Sequence, residues 1–463
     1  MESALVSAPS LFGTDGIRGI PGEGALTTAM IRRIGAASAR VLLKSYGPRR
    51  NTTAPFVLVG RDTRGSGKKI LKSVARGFAD AGLRTIDAGV LPTPAIAYLS
   101  PRRGAAAGVV ISASHNPPEF NGIKFFRPDG FKACGEFERA VEAAVVRVKD
   151  PGDGSVSVEK AGRTVEDYLD FLKSAFPADL DLTGLKIALD AANGAASPIA
   201  ARLFEDLGAR VYPIGDAPNG ANINRNCGAT APEAMQKEVL RRRAHCGIAL
   251  DGDADRCVLA DEKGRLLDGD ALIALSALEL KREGLLNGDR VVVTVMSNLG
   301  MIKFLEENGI GRVEVPVGDR NVTDALVAHD LILGGENSGH VVFRRFAPTG
   351  DGLLTALQTL AAWLRRTGPL SRIRSLYRPY PQILSNVRIA RRVPLEGLAD
   401  FNRELERAEK DLKDSGRVFV RYSGTEPVLR ILAEGPDAAL VRRIIEDLGR
   451  TFQQEANRTQ EGV

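Results

Sequence analysis

Three stretches of the chain repeat one pattern of apolar and polar positions. Each opens with consecutive apolar residues, as in a strand buried on both faces. It then turns on small polar residues and runs in a helical pattern to a glycine and a second short apolar run. The first passes from Val57-Leu58-Val59-Gly60-Arg61-Asp62 through Phe78-Ala79-Asp80-Ala81-Gly82 to residues 83–86 and closes at Gly89. The second passes from Ile187-Ala188-Leu189-Asp190 through Phe204-Glu205-Asp206-Leu207-Gly208 to Val211 and closes at Gly215. The third passes from Val292-Val293-Thr294-Val295 through Leu305-Glu306-Glu307-Asn308-Gly309 to Val313-Glu314-Val315 and closes at Gly318. Each reads as a βαβ unit: the glycine after the helix is its left-handed cap, and the second strand lies parallel to the first. Three such units with one ending predict three related α/β domains.

From about Leu370 the pattern changes. Strands at residues 417–420 and 428–432 precede a helix over 438–452, which predicts a fourth, smaller α+β domain. The joints are expected at the Gly/Asp/Ser-rich residues 150–157, just after Asp255, and at residues 365–372. That gives domains at 1–155, 156–256, 257–369 and 370–463, with a polar, frayed end from residue 457.

Composition narrows the class. Hydrophobic residues at 44% and charged residues at 26% describe a globular chain, and 49 glycines in 463 residues announce many tight turns or backbone-lined pockets. A net charge of +6 suits an anionic small molecule. No Lys/Arg block is interleaved with aromatics, so nucleic acid is not an expected partner, and Arg241-Arg242-Arg243 reads as a solvated helix face. The four cysteines show no CxxC spacing, which argues against a disulfide framework or zinc ribbon and for a reducing compartment. Residues 1–10 lack a signal-peptide pattern, and the apolar residues 353–364 are too short to span a bilayer. The expectation is a cytoplasmic protein with no membrane partner.

Five segments carry chemistry. Asp251-Gly252-Asp253-Ala254-Asp255-Arg256 follows the apolar run at 247–250, at the end of a strand. Carboxylates at i, i+2 and i+4 in a loop can converge on one hard cation such as Mg²⁺. The plain alternative is an acidic solvated turn. An EF-hand is disfavoured because Arg256 stands at its glycine position and a strand leads in.

Ser112-Ala113-Ser114-His115-Asn116-Pro117 ends another strand, with Gly122 and Lys124 beyond. Ser114 reads as a metal-activated or phosphorylated serine, or else as part of a capping turn. A serine triad is not expected, since neighbouring side chains in an extended loop diverge and no Gly-x-Ser-x-Gly elbow is present. Gly335-Glu336-Asn337-Ser338-Gly339-His340 offers a dense set of donors and acceptors for sugar hydroxyls, although alone it reads as a turn. Arg421-Tyr422-Ser423-Gly424-Thr425-Glu426-Pro427, with Arg430 beyond, groups arginines, hydroxyls and a bared backbone as a phosphate cradle, without a P-loop pattern. Phe12-Gly13-Thr14-Asp15-Gly16-Ile17-Arg18-Gly19 is a glycine-studded loop displaying one arginine.

These five motifs, in this order, resemble the α-D-phosphohexomutase family over nearly the whole chain. Ser-Ala-Ser-His-Asn-Pro, Asn-Gly-Ile-Lys-Phe-Phe, Val-Met-Ser-Asn-Leu-Gly and Glu-Asn-Ser-Gly-His resemble the wording of its amino-sugar subgroup; relatives outside that subgroup more often carry a second acidic residue where Asn337 stands. The resemblance implies four domains around a central cleft, three of them alike. It implies an isomerase that interconverts glucosamine 6-phosphate and glucosamine 1-phosphate through phosphoserine and a 1,6-bisphosphate, feeding UDP-N-acetylglucosamine and cell-envelope synthesis. Ser114 would carry the phosphate, and would share one Mg²⁺ with Asp251, Asp253 and Asp255. Arg18, His115, Lys124 and Arg256 would line the reacting end. Glu336, Asn337, Ser338 and His340 would meet the sugar, and Arg421, Ser423, Gly424, Thr425 and Arg430 the non-reacting phosphate. A sugar 1,6-bisphosphate would serve as activator, and the chain would be a monomer or homodimer. In one departure, Asn321 stands where the family carries a tyrosine after Gly-Asp-Arg. The alternatives are a phosphomannomutase/phosphoglucomutase and a non-catalytic phosphosugar-binding protein; the latter would need neither Ser114 nor the aspartate trio.

Overall fold

The computed structural model describes residues 11–13, 15–46, 55–389, 391–423 and 427–461. It divides into two compact units, Met1–Met296 with Ile310–Arg374, and Ser297–Gly309 with Ser375–Val463.

The first unit holds three sheets. The first sheet comprises β1 (Ile17–Gly19), β2 (Phe56–Arg61), β3 (Arg84–Val90), β4 (Ala107–Ile111), β5 (Asn121–Phe126) and β6 (Glu159–Lys160), in the order β1-β5-β4-β2-β3-β6. β2 runs parallel to β3 and β4, whereas β5 is antiparallel to β4 and β1. β4 and β5 are buried at every position; for β4 this follows from its unbroken apolar run, whereas β5 also buries Asn121 and Lys124. Helices Thr28–Tyr46 and Gly67–Asp80 cross tightly: a Cβ on Gly77 would fall 2.1 Å from Arg32 O, so only glycine fits there. Ile34, Val57, Val59, Val74, Phe78, Val109 and Ile123 form the core of this region.

The second sheet has β7 (Lys186–Asp190), β8 (Arg210–Ile214), β9 (Cys246–Leu250), β10 (Cys257–Asp261) and β11 (Leu266–Leu267), ordered β11-β10-β9-β7-β8. The third has β12 (Arg290–Thr294), β13 (Gly311–Val315), β14 (Leu333–Gly335) and β15 (Val341–Phe343), ordered β13-β12-β14-β15. The three expected βαβ pairs, β2/β3, β7/β8 and β12/β13, are all parallel. Their capping glycines, Gly82, Gly208 and Gly309, have φ of 77°, 99° and 65°.

Two sheets run on past joints expected from the sequence. Asp251–Arg256 is the turn of an antiparallel β9/β10 hairpin in which Leu250 pairs with Cys257. The apolar Cys-Val-Leu-Ala of β10 continues the same sheet, which runs on through β11 past the boundary expected at residue 256. Likewise β6 extends the first sheet past residue 155 by pairing with β3.

In the C-terminal unit, β16 (Gln382–Arg388), β17 (Arg417–Tyr422) and β18 (Val428–Glu434) form an antiparallel sheet ordered β16-β18-β17. Val387, Phe401, Leu412, Leu429, Ile431, Val441 and Phe452 join it to helices Ala399–Leu412 and Ala438–Glu461. Helix Leu299–Glu307 is grouped with this unit, where Leu299 N donates to Glu434 Oε1 at 2.8 Å. Among the described residues, no helix is long and apolar enough to cross a membrane.

Candidate active site

The loop after β4 carries Ser114 at φ 49°, in the left-handed region that serine seldom adopts. This turn aims Oγ inward: it donates to Asp251 Oδ2 at 2.6 Å and lies 3.3 Å from His115 Nδ1. The expected divergence of the two neighbouring side chains is therefore not found, because an extended backbone was assumed and the left-handed one folds them together. Gly252 lets the backbone of the Asp251–Arg256 turn close in, since a Cβ there would stand 2.6 Å from Ser114 O.

The β9/β10 turn brings one carboxylate oxygen each of Asp251, Asp253 and Asp255 within 4.8 Å of one another, all buried. Asp253 Oδ1 and Asp255 Oδ1 are buried without a hydrogen-bond partner among the described residues. Orphaned buried carboxylate oxygens beside a hydroxyl are a donor set for a hard divalent cation, so the residues present fit one. Burial and the neighbouring Asp255 and Asp253 carboxylates push the Asp251 carboxyl well above the usual range. Burial would also raise Asp255, but the Lys124 ammonium, His340 and Arg256 outweigh it and hold that carboxyl below its ordinary value.

Cations surround the trio. Lys124, on the fully buried β5, reaches Asp253 Oδ2 at 2.9 Å, Asp15 Oδ2 at 2.9 Å and Asp255 Oδ2 at 3.8 Å. Burial alone would lower its pKa; Asp15, Asp253 and Asp255 reverse this and keep it charged. Arg18 on β1 donates to Asn116 Oδ1 at 3.0 Å and pairs with Asp15. Arg256 Nε lies 3.9 Å from Asp255 Oδ1, and its backbone N donates to Asp251 Oδ1 at 3.2 Å. His115 is pushed down to about 4 by burial, then by Arg256 and Arg18.

The Glu336–His340 segment is the β14/β15 hairpin turn. Glu336 Oε1 accepts Gly318 N–H at 2.8 Å and Oε2 accepts the Ser338 hydroxyl at 3.3 Å, while Asn337 O accepts Gly269 N–H at 3.0 Å. His340 Nδ1 is 3.7 Å from Asp255 Oδ2. Burial opposes its protonation, yet that carboxylate raises it to about 9. Ser114, His115, Lys124, Arg18, Arg256, the trio and His340 are thus brought together in one network.

In the C-terminal unit, Arg421 and Arg430 face each other across β17 and β18. Ser423 N donates to Val428 O at 2.9 Å. Gly424 and Thr425 lie outside the described residues.

Sequence reasoning passed over Asp15 and Thr93. Asp15 bridges Lys124 and the half-buried Lys132, which also pairs with Asp319 at 2.6 Å. Thr93 Oγ1 donates to Asp253 Oδ2 at 2.5 Å. The Thr-Asp-Gly-Ile-Arg wording held a carboxylate beside the arginine, a signal that could have identified Asp15; Thr93 had none.

Four family models match the chain, described as phosphoglucomutase/phosphomannomutase alpha/beta/alpha domains I, II and III and C-terminal domain, over residues 9–151, 166–264, 268–380 and 384–450. Among curated proteins, the phosphoglucosamine mutase of Bdellovibrio bacteriovorus is 43% identical over 96% of this chain and 98% of its own. That of Rhodospirillum rubrum is 44% identical over 95% of this chain and 97% of its own. The solved structure of a phosphoglucomutase/phosphomannomutase family protein from Burkholderia thailandensis superposes with a TM-score of 0.79 at 26% identity, covering 96% of this chain and 97% of that one. Aspergillus fumigatus N-acetylphosphoglucosamine mutase, solved with GlcNAc-6P and magnesium, shares the fold at a TM-score of 0.63 and 18% identity, covering 96% of each chain. With all four domain models matched in order along its length, the chain belongs to the phosphoglucomutase/phosphomannomutase family of α-D-phosphohexomutases.

Proposed function

We propose that this phosphohexomutase interconverts glucosamine 6-phosphate and glucosamine 1-phosphate by phosphoryl transfer through Ser114. The observation that carries the reading is the Ser114 hydroxyl, held 2.6 Å from Asp251 at a buried aspartate trio. The substrate follows from the phosphoglucosamine mutases to which the chain is similar.

Asp251, Asp253, Asp255 and the Ser114 oxygen would hold Mg²⁺, which when bound supplies positive charge to the transferring oxygens. Phosphorylated Ser114 gives its phosphoryl group to the free hydroxyl of the sugar monophosphate: the serine O–P bond breaks and a sugar O–P bond forms. The resulting 1,6-bisphosphate returns its other phosphate to Ser114, leaving the isomer. A sugar 1,6-bisphosphate would likewise prime a dephosphorylated enzyme. Arg18, Lys124 and Arg256 offset charge at the reacting end, and His115 offers a hydrogen-bond partner beside Ser114 Oγ. Glu336, Asn337, Ser338 and His340 orient the sugar, Glu336 itself being fixed by Gly318 N–H.

Arg421, Ser423 and Arg430, with Gly424 and Thr425, hold the non-reacting phosphate. The two arginines occupy paired positions on adjacent strands, and guanidinium forks suit a phosphate's oxygens.

Turnover of glucosamine 6-phosphate, glucose 1-phosphate and mannose 1-phosphate, with Mg²⁺ and a trace of sugar bisphosphate, tests the reading. The amino sugar should have the highest kcat/KM. A preference for glucose or mannose would overturn the substrate assignment and keep the chemistry.

A further inference from the structure

Ser114 at φ 49° lies in a backbone region that is strained for a residue with a Cβ, so its surroundings must impose the turn. One guanidinium gathers the carbonyls of that loop. Arg64 Nη2 donates to Ser114 O at 3.0 Å and to Asn116 O at 2.8 Å; Nη1 donates to Phe120 O at 2.9 Å and to Pro117 O. Its Nε donates to Asp62 Oδ2 at 2.9 Å, and both side chains of this pair have 0% exposure. All the N–H donors of the guanidinium fork are thereby used, four of them on the main chain of a single loop. Asp62 Oδ2 also accepts the Ser112 hydroxyl at 2.6 Å, and Ser112 Oγ accepts Ser114 N–H at 2.9 Å. From the loop after β8, Asn224 Nδ2 donates to Ser114 O at 2.8 Å and Asn116 O at 2.9 Å.

We propose that Asp62 and Arg64 are a positioning pair that locks the Ser114 loop in its left-handed turn, so that Oγ meets the reacting end with one fixed geometry. The assignment rests on the phosphomutase reading and adds to it residues that act through Ser114. Stability alone does not account for the pair: a buried ion pair is a poor stabiliser, because desolvation offsets most of its Coulomb gain. What an apolar replacement could not do is collect four carbonyls at one point. Lysine retains the charge opposite Asp62 but offers three mobile donors in place of the planar fork.

The test is steady-state kinetics on glucosamine 6-phosphate for wild type, Arg64→Lys and Ser112→Ala, with thermal melting of each. Displacing a reacting atom by an ångström costs on the order of 100-fold, so Arg64→Lys should lose about 10- to 100-fold in kcat while KM stays within about twofold. Ser112→Ala, which removes the bridge without uncovering the guanidinium, should lose about threefold or more in kcat. Should Arg64→Lys melt below the assay temperature, Ser112→Ala decides. An unchanged kcat in the folded variant, or a raised KM at unchanged kcat, overturns the clamp. Wild-type turnover separates the two ideas: absent on glucosamine, glucose and mannose phosphates alike, it overturns the phosphomutase reading and the clamp with it; present on any of them beside an equally active variant, it overturns the clamp alone.

Discussion

Ser114 shows how much chemistry one backbone angle decides. At φ 49° its hydroxyl faces Asp251 and His115 together, an arrangement that extended backbone would not produce. The sequence showed which residue types were present, namely the serine, three alternating carboxylates and the surrounding cations. It did not show that Asp15 would lie between Lys124 and Lys132, because that contact joins residues far apart in the chain. The thiols give a separate check. Burial, then Asp190, pushes Cys227 up to about 11, and burial pushes Cys246 to about 12 and Cys257 well above its ordinary value, whereas Cys134 is half-buried. At pH 8 a thiol reagent should label at most Cys134 rapidly in the native protein and all four cysteines after denaturation. Two or more fast thiols in the native state would contradict this burial.

The repeated strand–helix–glycine pattern was legible because both of its parts are local: an apolar run buried on both faces and a cap that needs positive φ. Elements with mixed signals were not. Helix Ala399–Leu412 is mostly charged, with Phe401, Leu405, Ala408 and Leu412 its only apolar stripe, and β16 is interrupted by Ser385 and Asn386. The hairpin at Asp251–Arg256 was not legible because pairing of β9 with β10 is a register property rather than a composition. Helix Gly352–Leu364 offers a pH test. Its N-cap Asp351 accepts Leu354 N–H at 3.0 Å and the Tyr168 hydroxyl at 2.8 Å, and burial raises it from 3.8 to about 6. A carboxyl with a raised native pKa favours the native state more as it protonates, so wild type should gain stability as pH falls from about 7 towards 4. Asp351→Asn removes that gain, which is worth up to roughly 3 kcal/mol. The wild-type minus variant difference in Tm, measured at pH 7.5 and pH 5, should shift in favour of wild type at the lower pH; no shift would show that Asp351 titrates normally.

For the whole molecule, the residues proposed for phosphoryl transfer and those proposed to hold the second phosphate fall in different family domains and different compact units. That division predicts separable kinetic effects. Arg421→Ala should raise KM for the phosphosugar about 10- to 100-fold, as expected for losing a charge-assisted bond to phosphate, with a smaller change in kcat. An unchanged KM would remove Arg421 from phosphate binding. The central claim is that Ser114 itself carries the phosphoryl group between substrates, and peptide mass spectrometry reads this most directly. After incubation with glucose 1,6-bisphosphate and Mg²⁺, wild type should carry one phosphoryl group on Ser114 and lose it to added glucosamine 6-phosphate as the 1,6-bisphosphate forms. The Ser114→Ala variant should acquire none and turn nothing over. A Ser114 that stays unmodified while the enzyme turns over, or full activity in Ser114→Ala, would contradict the account.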